Sequence, residues 1–170
     1  MSTTNYPFPP DEAYIKKSKN SFLFSAFLGF KLPLGFIAGL RLDDFSPEKC
    51  SVSLPYRWRT QNPFHSIYFA AQAMAAEMST AALAMLAIES SKENIAMLVT
   101  DLQASFTHKA NDRTTFTCTQ GKEIFDVIQA AIETGEGTQC TMHTIGTMPD
   151  GTEVSRFSVT WSFKKRTKKK

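Results

Sequence analysis

Residues 60–89 read TQNPFHSIYFAAQAMAAEMSTAALAMLAIE. Between Ser66 and Ile88 nearly every side chain is apolar or small, and the single charge is Glu77. Alanine, methionine and leucine favour helix over strand. A helix that is apolar all round belongs inside a protein rather than on its surface. A carboxylate in that setting is costly to bury unless something uses or neutralises it, so Glu77 is where function is sought first. On a helical wheel Ser66, Ala70, Ala73, Glu77, Thr80 and Ala84 share a face. Small side chains there let a flat ligand or another backbone come close to Glu77. The competing reading pairs Glu77 with an arginine or a backbone amide and leaves it a purely architectural role.

Working outward, the flanks read as sheet. Upstream, Ile37 to Asp43 predicts a short strand, and Cys50, Val52, Leu54, Tyr56 and Trp58 alternate with polar residues at the period of a half-buried strand. Pro55 suggests an edge or bulge in it. Downstream, Ile95 to His108 predicts an extended run in which Leu102, Ala104 and Phe106 alternate with polar neighbours, and Thr114 to Thr119 reads as its hairpin partner across Ala110–Arg113. Lys122 to Thr134 is a short amphipathic helix closed by Gly135. Gln139–Thr147 and Glu153–Phe163 are strands joined by the turn Met148-Pro-Asp-Gly151. Near the N-terminus a helix from Asp11 is followed by an apolar surface of Phe22, Phe24, Phe27, Leu28 and Phe30. A sheet curled round one central helix accommodates this inventory.

The totals exclude several classes. A chain of 170 residues fits one domain with a real core, or one protomer of an oligomer. Six of the last seven residues are basic, and without them the formal charge of +3 becomes −3, so no folded basic face for nucleic acid is expected. Cys50, Cys118 and Cys140 are odd in number and form no CxxC, which argues against disulfides or a zinc site and for a reducing, cytoplasmic setting. Ser21 to Leu40 could pass for a signal anchor, but Gly29, Lys31, Pro33 and Gly35 interrupt it below the roughly 18 apolar residues a span needs, so no integral membrane segment is expected.

Other candidates cluster at the start of the long helix. Free amides there, together with the helix dipole, can polarise a carbonyl oxygen. An amide near Phe69 lies eight residues from Glu77, about 12 Å along one helix. Two antiparallel helices from two subunits can bring both groups to one carbonyl, so an active site here wants a dimer. Asn62, before Pro63, is either a turn or cap residue or a polar contributor to that site. His65 is a capping or surface histidine, or an acid–base group. His108 and His143 read as structural, and Cys50 as core. No GxSxG, P-loop, GxGxxG or HExxH is present.

With these pieces in place the chain resembles hotdog-fold proteins, and more narrowly the DUF4442 group related to the PaaI-type acyl-CoA thioesterases. The residues that carry the resemblance are LPLGFIAGLRL (32–42), TQNPFHSIYFAAQAMAAE (60–77) and PDGTEVSRFSVTWSF (149–163). It implies an α+β hotdog fold, a curved antiparallel sheet wrapped around one long central helix. Residues 31–164 would form that domain, 1–30 an N-terminal arm and helix packing on it, and 165–170 a basic disordered tail. It implies Glu77 as general base or nucleophile, Asn62 orienting water or the acyl group, and the Phe69 amide polarising the thioester carbonyl. Tyr68, Ala70, Ala73 and Thr80 would line the substrate. Tyr68-Phe69-Ala70 stands where the family carries His-Gly-Gly. The expected function is acyl-thioester hydrolysis at a homodimer interface, with pairing into tetramers left open, no metal, and coenzyme A only as part of the substrate. The alternatives are a non-catalytic binder of an acyl chain or fatty acid and a hotdog dehydratase using His65 and Glu77.

Overall fold

The computed structural model describes residues 5–166. Its centre is the helix α4, Phe69–Ser91, which begins three residues later than the apolar run because residues 62–67 are spent on a tight loop. Around it the order is α1 (Glu12–Lys19), α2 (Ser21–Lys31), α3 (Pro33–Ala38), β1 (Arg41–Phe45) and β2 (Cys50–Leu54) before α4. After it come β3 (Ile95–Phe106), β4 (Thr114–Cys118), α5 (Gly121–Thr134), β5 (Thr138–Thr147) and β6 (Glu153–Lys165). The six strands form one antiparallel sheet in the order β1-β2-β4-β5-β6-β3, with α4 lying across one face.

Alanines let α4 sit close to the sheet. Ala75, Ala76, Ala84 and Ala87 are fully buried beside Leu83 and Leu86. The polar residues on its sheet side are each satisfied, as burial demands. Gln72 donates to the Ile67 carbonyl at 3.1 Å and accepts from Ser155 Oγ at 2.8 Å. Ser79 donates to Thr144 Oγ1 at 2.9 Å. Thr80 Oγ1 accepts from Trp161 Nε1 at 2.9 Å and donates to the Glu77 carbonyl at 2.9 Å. These bonds to β5 and β6 fix the rotation of α4 about its own axis, and so decide where Glu77 points. Thr80→Val is expected to cost about 1–3 kcal/mol, because it strands a buried indole N–H. Urea unfolding measures it, and Thr80→Ser, which restores an acceptor, should recover most of the loss.

The sheet departs from the sequence reading in three places. Ile37 and Ala38 end α3, Gly39 closes it at φ 79°, and the strand starts only at Arg41; Pro33 at the first turn pre-sets the helical backbone. β2 stops at Leu54 because Pro55 cannot donate to the ladder, and all five of its residues are buried, so its alternation does not mark a wet face. On its polar side Ser51 meets Thr117 at 2.9 Å and Ser53 accepts from Arg113 at 3.1 Å. Lastly, β3 and β4 are not a hairpin: β3 pairs only with β6, whereas β4 sits between β2 and β5.

At the N-terminus Asp11 caps α1 by accepting from the Tyr14 amide at 2.9 Å, and it pairs with Lys92 just beyond α4. The β6 strand runs to Lys165, whose ammonium is 3.0 Å from Glu93. The remainder of the basic tail, 167–170, and the first four residues lie outside the described part of the chain. By length and composition α4 could cross a membrane, but 72% of its most apolar window is buried inside the fold, as a core helix requires.

Candidate active site

Each flank of α4 meets a different environment. One faces the sheet. A second, with Met78, Ala82 and Met85, meets α1 and α2 around a small apolar cavity of about 150 Å³. The third carries Ala70, Ala73 and Glu77, all only partly buried, and no element covers it at this end of the helix.

Glu77 is the single charge on α4 until its last turn. Its carboxylate has no hydrogen bond and no ion pair among the described residues. Burial pushes its pKa up, and no neighbouring charge or donor opposes that shift. The architectural reading of Glu77, in which an arginine or an amide consumes the acid, therefore does not hold within one protomer. An acid kept half-buried without a partner is a group available for chemistry.

The other end of the site is the loop entering α4. Thr60 and Tyr68 bracket it through the Tyr68 amide to the Thr60 carbonyl at 2.7 Å, and Gln61 pairs with Ile67. Asn62 holds the loop from within. Its Oδ1 accepts from the Phe64 amide at 3.0 Å and the Ser66 amide at 3.2 Å, and its Nδ2 donates to Ser66 Oγ at 3.0 Å. That is an Asx turn. Its carboxamide is thereby committed to the loop, and Asn62 sets the position of the helix start instead of projecting free. His65 sits at the tip, exposed and left-handed at φ 58°, its amide donating to the Asn62 carbonyl at 3.2 Å.

Tyr68 is the N-cap residue of α4, and no side chain caps the helix. The Ala71 and Gln72 amides turn back to the Tyr68 carbonyl, which leaves the Phe69 and Ala70 amides without a partner among the described residues. Phe69 lines a groove of about 820 Å³, together with Asn62, Phe64 and Tyr68 on this side and Phe106–Ala110 on the other. The rings of Tyr68 and Phe69 stack edge to face 4.8 Å apart and are about half exposed.

The structure thus gathers Asn62, Tyr68 and the Phe69 amide around one groove and leaves Glu77 more than two turns down the helix, outside its lining. Ala70 and Ala73 lie between them on the uncovered flank. Thr80 does not join it: it is fully buried and its hydroxyl serves Trp161 and the Glu77 carbonyl. Lys109 was passed over in the sequence reading. Its ammonium reaches the Phe64 carbonyl at 3.2 Å and places a positive charge on the groove wall; a lone lysine after a strand gave no signal of this. His108 lines the same groove with Nδ1 held at 2.8 Å from the Glu153 carbonyl, and His143 is held by Ser158. Among the described residues no group of three His, Cys, Asp or Glu side chains is placed to hold a metal.

A six-stranded antiparallel sheet wrapped on one long helix, with an acid on the helix and a loop-borne N-terminus, defines a hotdog-fold protein. The chain matches the domain of unknown function DUF4442 over residues 20–163 and belongs to that family. The match begins at Asn20, so α2 and α3 fall within it. No curated protein matches the chain. Among solved structures, a Pseudomonas aeruginosa protein of unknown function described as a "Probable Thioesterase" shares the fold at 18% identity. It has a TM-score of 0.71, with 84% of this chain and 95% of that one covered. A thioesterase from Haemophilus influenzae is similar at 13% identity and TM-score 0.65, covering 89% and 95%. A mutant thioesterase from Pseudomonas aeruginosa gives 19% identity and TM-score 0.61, covering 95% and 99%.

Proposed function

We propose that this protein hydrolyses acyl thioesters, such as acyl-CoA, at a site completed by a second copy of the chain. The observation that carries the reading is the unpartnered Glu77 carboxylate on an uncovered helix flank of small residues. Glu77 acts as general base on water, or attacks the thioester itself. The Phe69 amide of the other copy, at the positive end of its helix, steadies the charge that develops on the carbonyl oxygen. Hydrolysis then transfers the acyl group to water and releases a thiol.

Support for a second copy comes from β3. This twelve-residue strand lies at the sheet edge and pairs on one side only, an open template for another strand. By register Leu102, Ala104 and Phe106 oppose Val159, Phe157 and Ser155, which are buried on the helix-facing side. They share that side, yet all three are exposed, because α4 does not extend over them. A copy paired through β3 covers this strip and brings its own α4 toward Glu77. A Leu102→Lys, Phe106→Lys variant is expected to be monomeric by light scattering and to lose turnover while the monomer stays folded. A monomer that retains full activity sinks the shared site.

A second reading, storage or transport of an acyl chain without catalysis, is favoured by the apolar cavity between α2 and α4, lined by Leu23, Phe24, Phe27, Met78, Ala82 and Met85. The two separate on one measurement. Purified protein given short, long and aryl acyl-CoAs should release free thiol; co-purified lipid in the mass spectrum with no thiol release under any of them would favour the binder.

A further inference from the structure

The sequence SFLFSAFLGFK of α2 contains one charge, Lys31, at its end. A helix so uniformly apolar belongs in an interior, and in this fold it lies outside. Only Leu28 is buried, while Phe22 is 79% and Phe30 88% exposed. The next helix, α3, buries Gly35 and Ala38 and turns Leu34, Phe36 and Ile37 outward. The loop after β2 adds Trp58, 83% exposed. That loop adjoins the end of α3: a β-carbon on Gly39 would lie 3.5 Å from Pro55 and 3.9 Å from Arg59. Two successive helices and the loop after β2 therefore present aromatic and aliphatic side chains to solvent, which a monomeric surface rarely does without a partner.

The charges carried by the apolar stretch itself are of one sign. From Ala13 to Leu42 the chain has Lys16, Lys17, Lys19, Lys31 and Arg41 and no acid. Arg57 and Arg59 flank Trp58. The flanking acids are few: Asp11 pairs with Lys92, Glu12 opens α1, and on β1 Asp44 is taken up by Lys49 at 2.8 Å and also feels Lys19. Apolar rings bordered by Lys16, Lys17, Lys31, Arg57 and Arg59, none of which has an ion pair among the described residues, fit the headgroup layer of an anionic bilayer. The rings enter the acyl boundary there and the cations meet phosphate. A second copy of this chain fits less well, since a two-fold contact through the patch would set like charges against each other. At eleven and six residues, α2 and α3 are too short to span a bilayer.

We infer that the face formed by α2, α3 and the Trp58 loop docks the protein reversibly on an anionic membrane surface. This does not depend on the thioesterase reading. The test is sedimentation of the intact protein with vesicles of phosphatidylcholine alone or mixed with phosphatidylglycerol, at low and high salt, with tryptophan emission followed in parallel. Binding is expected only to the mixed vesicles, weakened by salt, with a blue shift that Trp58→Phe removes. A Phe22→Ser, Phe30→Ser variant should bind at least about tenfold more weakly, and a Lys16→Glu, Lys17→Glu, Lys19→Glu variant should lose the preference for phosphatidylglycerol. Both keep their fold, since every substituted side chain is exposed, and both keep the parent's circular dichroism spectrum and Tm. Absence of binding to mixed vesicles at low salt overturns the inference, as does equal binding by parent and variants. A fall in the solution mass of the Phe22→Ser, Phe30→Ser variant also overturns it, because the patch would then be a contact between copies.

Discussion

Glu77→Gln is expected to lower thioester turnover by about 10²- to 10⁴-fold, the usual contribution of a positioned base, with little change in KM. The substitution keeps the shape and removes the charge. Because the carboxylate has no partner among the described residues, nothing else in the protomer is disturbed. The pH dependence follows from the same environment. Burial raises the Glu77 pKa, so the acidic limb of kcat/KM should lie above the ordinary carboxylate range, with activity rising as the acid ionises. Glu77→Gln should flatten that limb.

Stability should move the opposite way. A carboxyl whose pKa is raised on folding binds its proton more tightly in the native state. The protein is therefore penalised as pH rises from the unfolded carboxylate value, about 4.3, through the raised native one. Glu77→Gln removes that penalty. It should raise Tm at neutral pH and leave it unchanged near pH 3. Equal turnover in variant and parent would reject Glu77 as the catalyst. A neutral-pH Tm below that of the parent would show instead that a partner holds the ionised acid.

The second large effect is structural. At Gly121, the first residue of α5, an added β-carbon would lie 1.8 Å from the Pro47 carbonyl oxygen and 2.9 Å from the Glu48 carbonyl carbon. The obstacle is backbone on both counts, and the Gly121 amide also donates to the Glu48 carbonyl at 3.1 Å. No side-chain rotation relieves such a contact. Gly121→Ala should therefore destabilise by more than about 3 kcal/mol, a fall of roughly 6–12 °C or more in Tm. Gly137→Ala is the control: its nearest neighbour is 3.9 Å away, and a change within about 0.5 kcal/mol is expected. Comparable melting of the two variants would mean that α5 does not dock on the β1–β2 loop as described.

Much of the fold was legible because its signals are local. The Ala- and Met-rich run predicts α4, Gly135 stops α5 at φ 70°, and Gly151 at φ 85° makes the β5–β6 turn. The misread segments are those where local pattern does not name the neighbour. Alternation in 95–108 and 114–119 marks two strands, but a period of two specifies a face and not a pairing partner. β3 goes to β6 and β4 to the β2–β5 gap. The strand expected over Ile37–Asp43 loses its first residues to α3, since Pro33 and Gly39 bound a six-residue helix.

The same division runs through the site. Sequence alone determined that one acid stands within an otherwise uncharged stretch of helix, and that Gln61-Asn62-Pro63 breaks the chain ahead of it. Both are consequences of residue order and helical propensity. Tertiary structure decided that the helix starts only at Phe69, that Asn62 is consumed by its own loop, that Thr80 is spent on Trp161, and that Glu77 is left without a partner among the described residues. It also decided that α2 faces outward and that the inner side of β3 stays bare. Those outcomes depend on which surfaces the sheet and helices leave over after packing, and no single stretch of chain encodes that remainder.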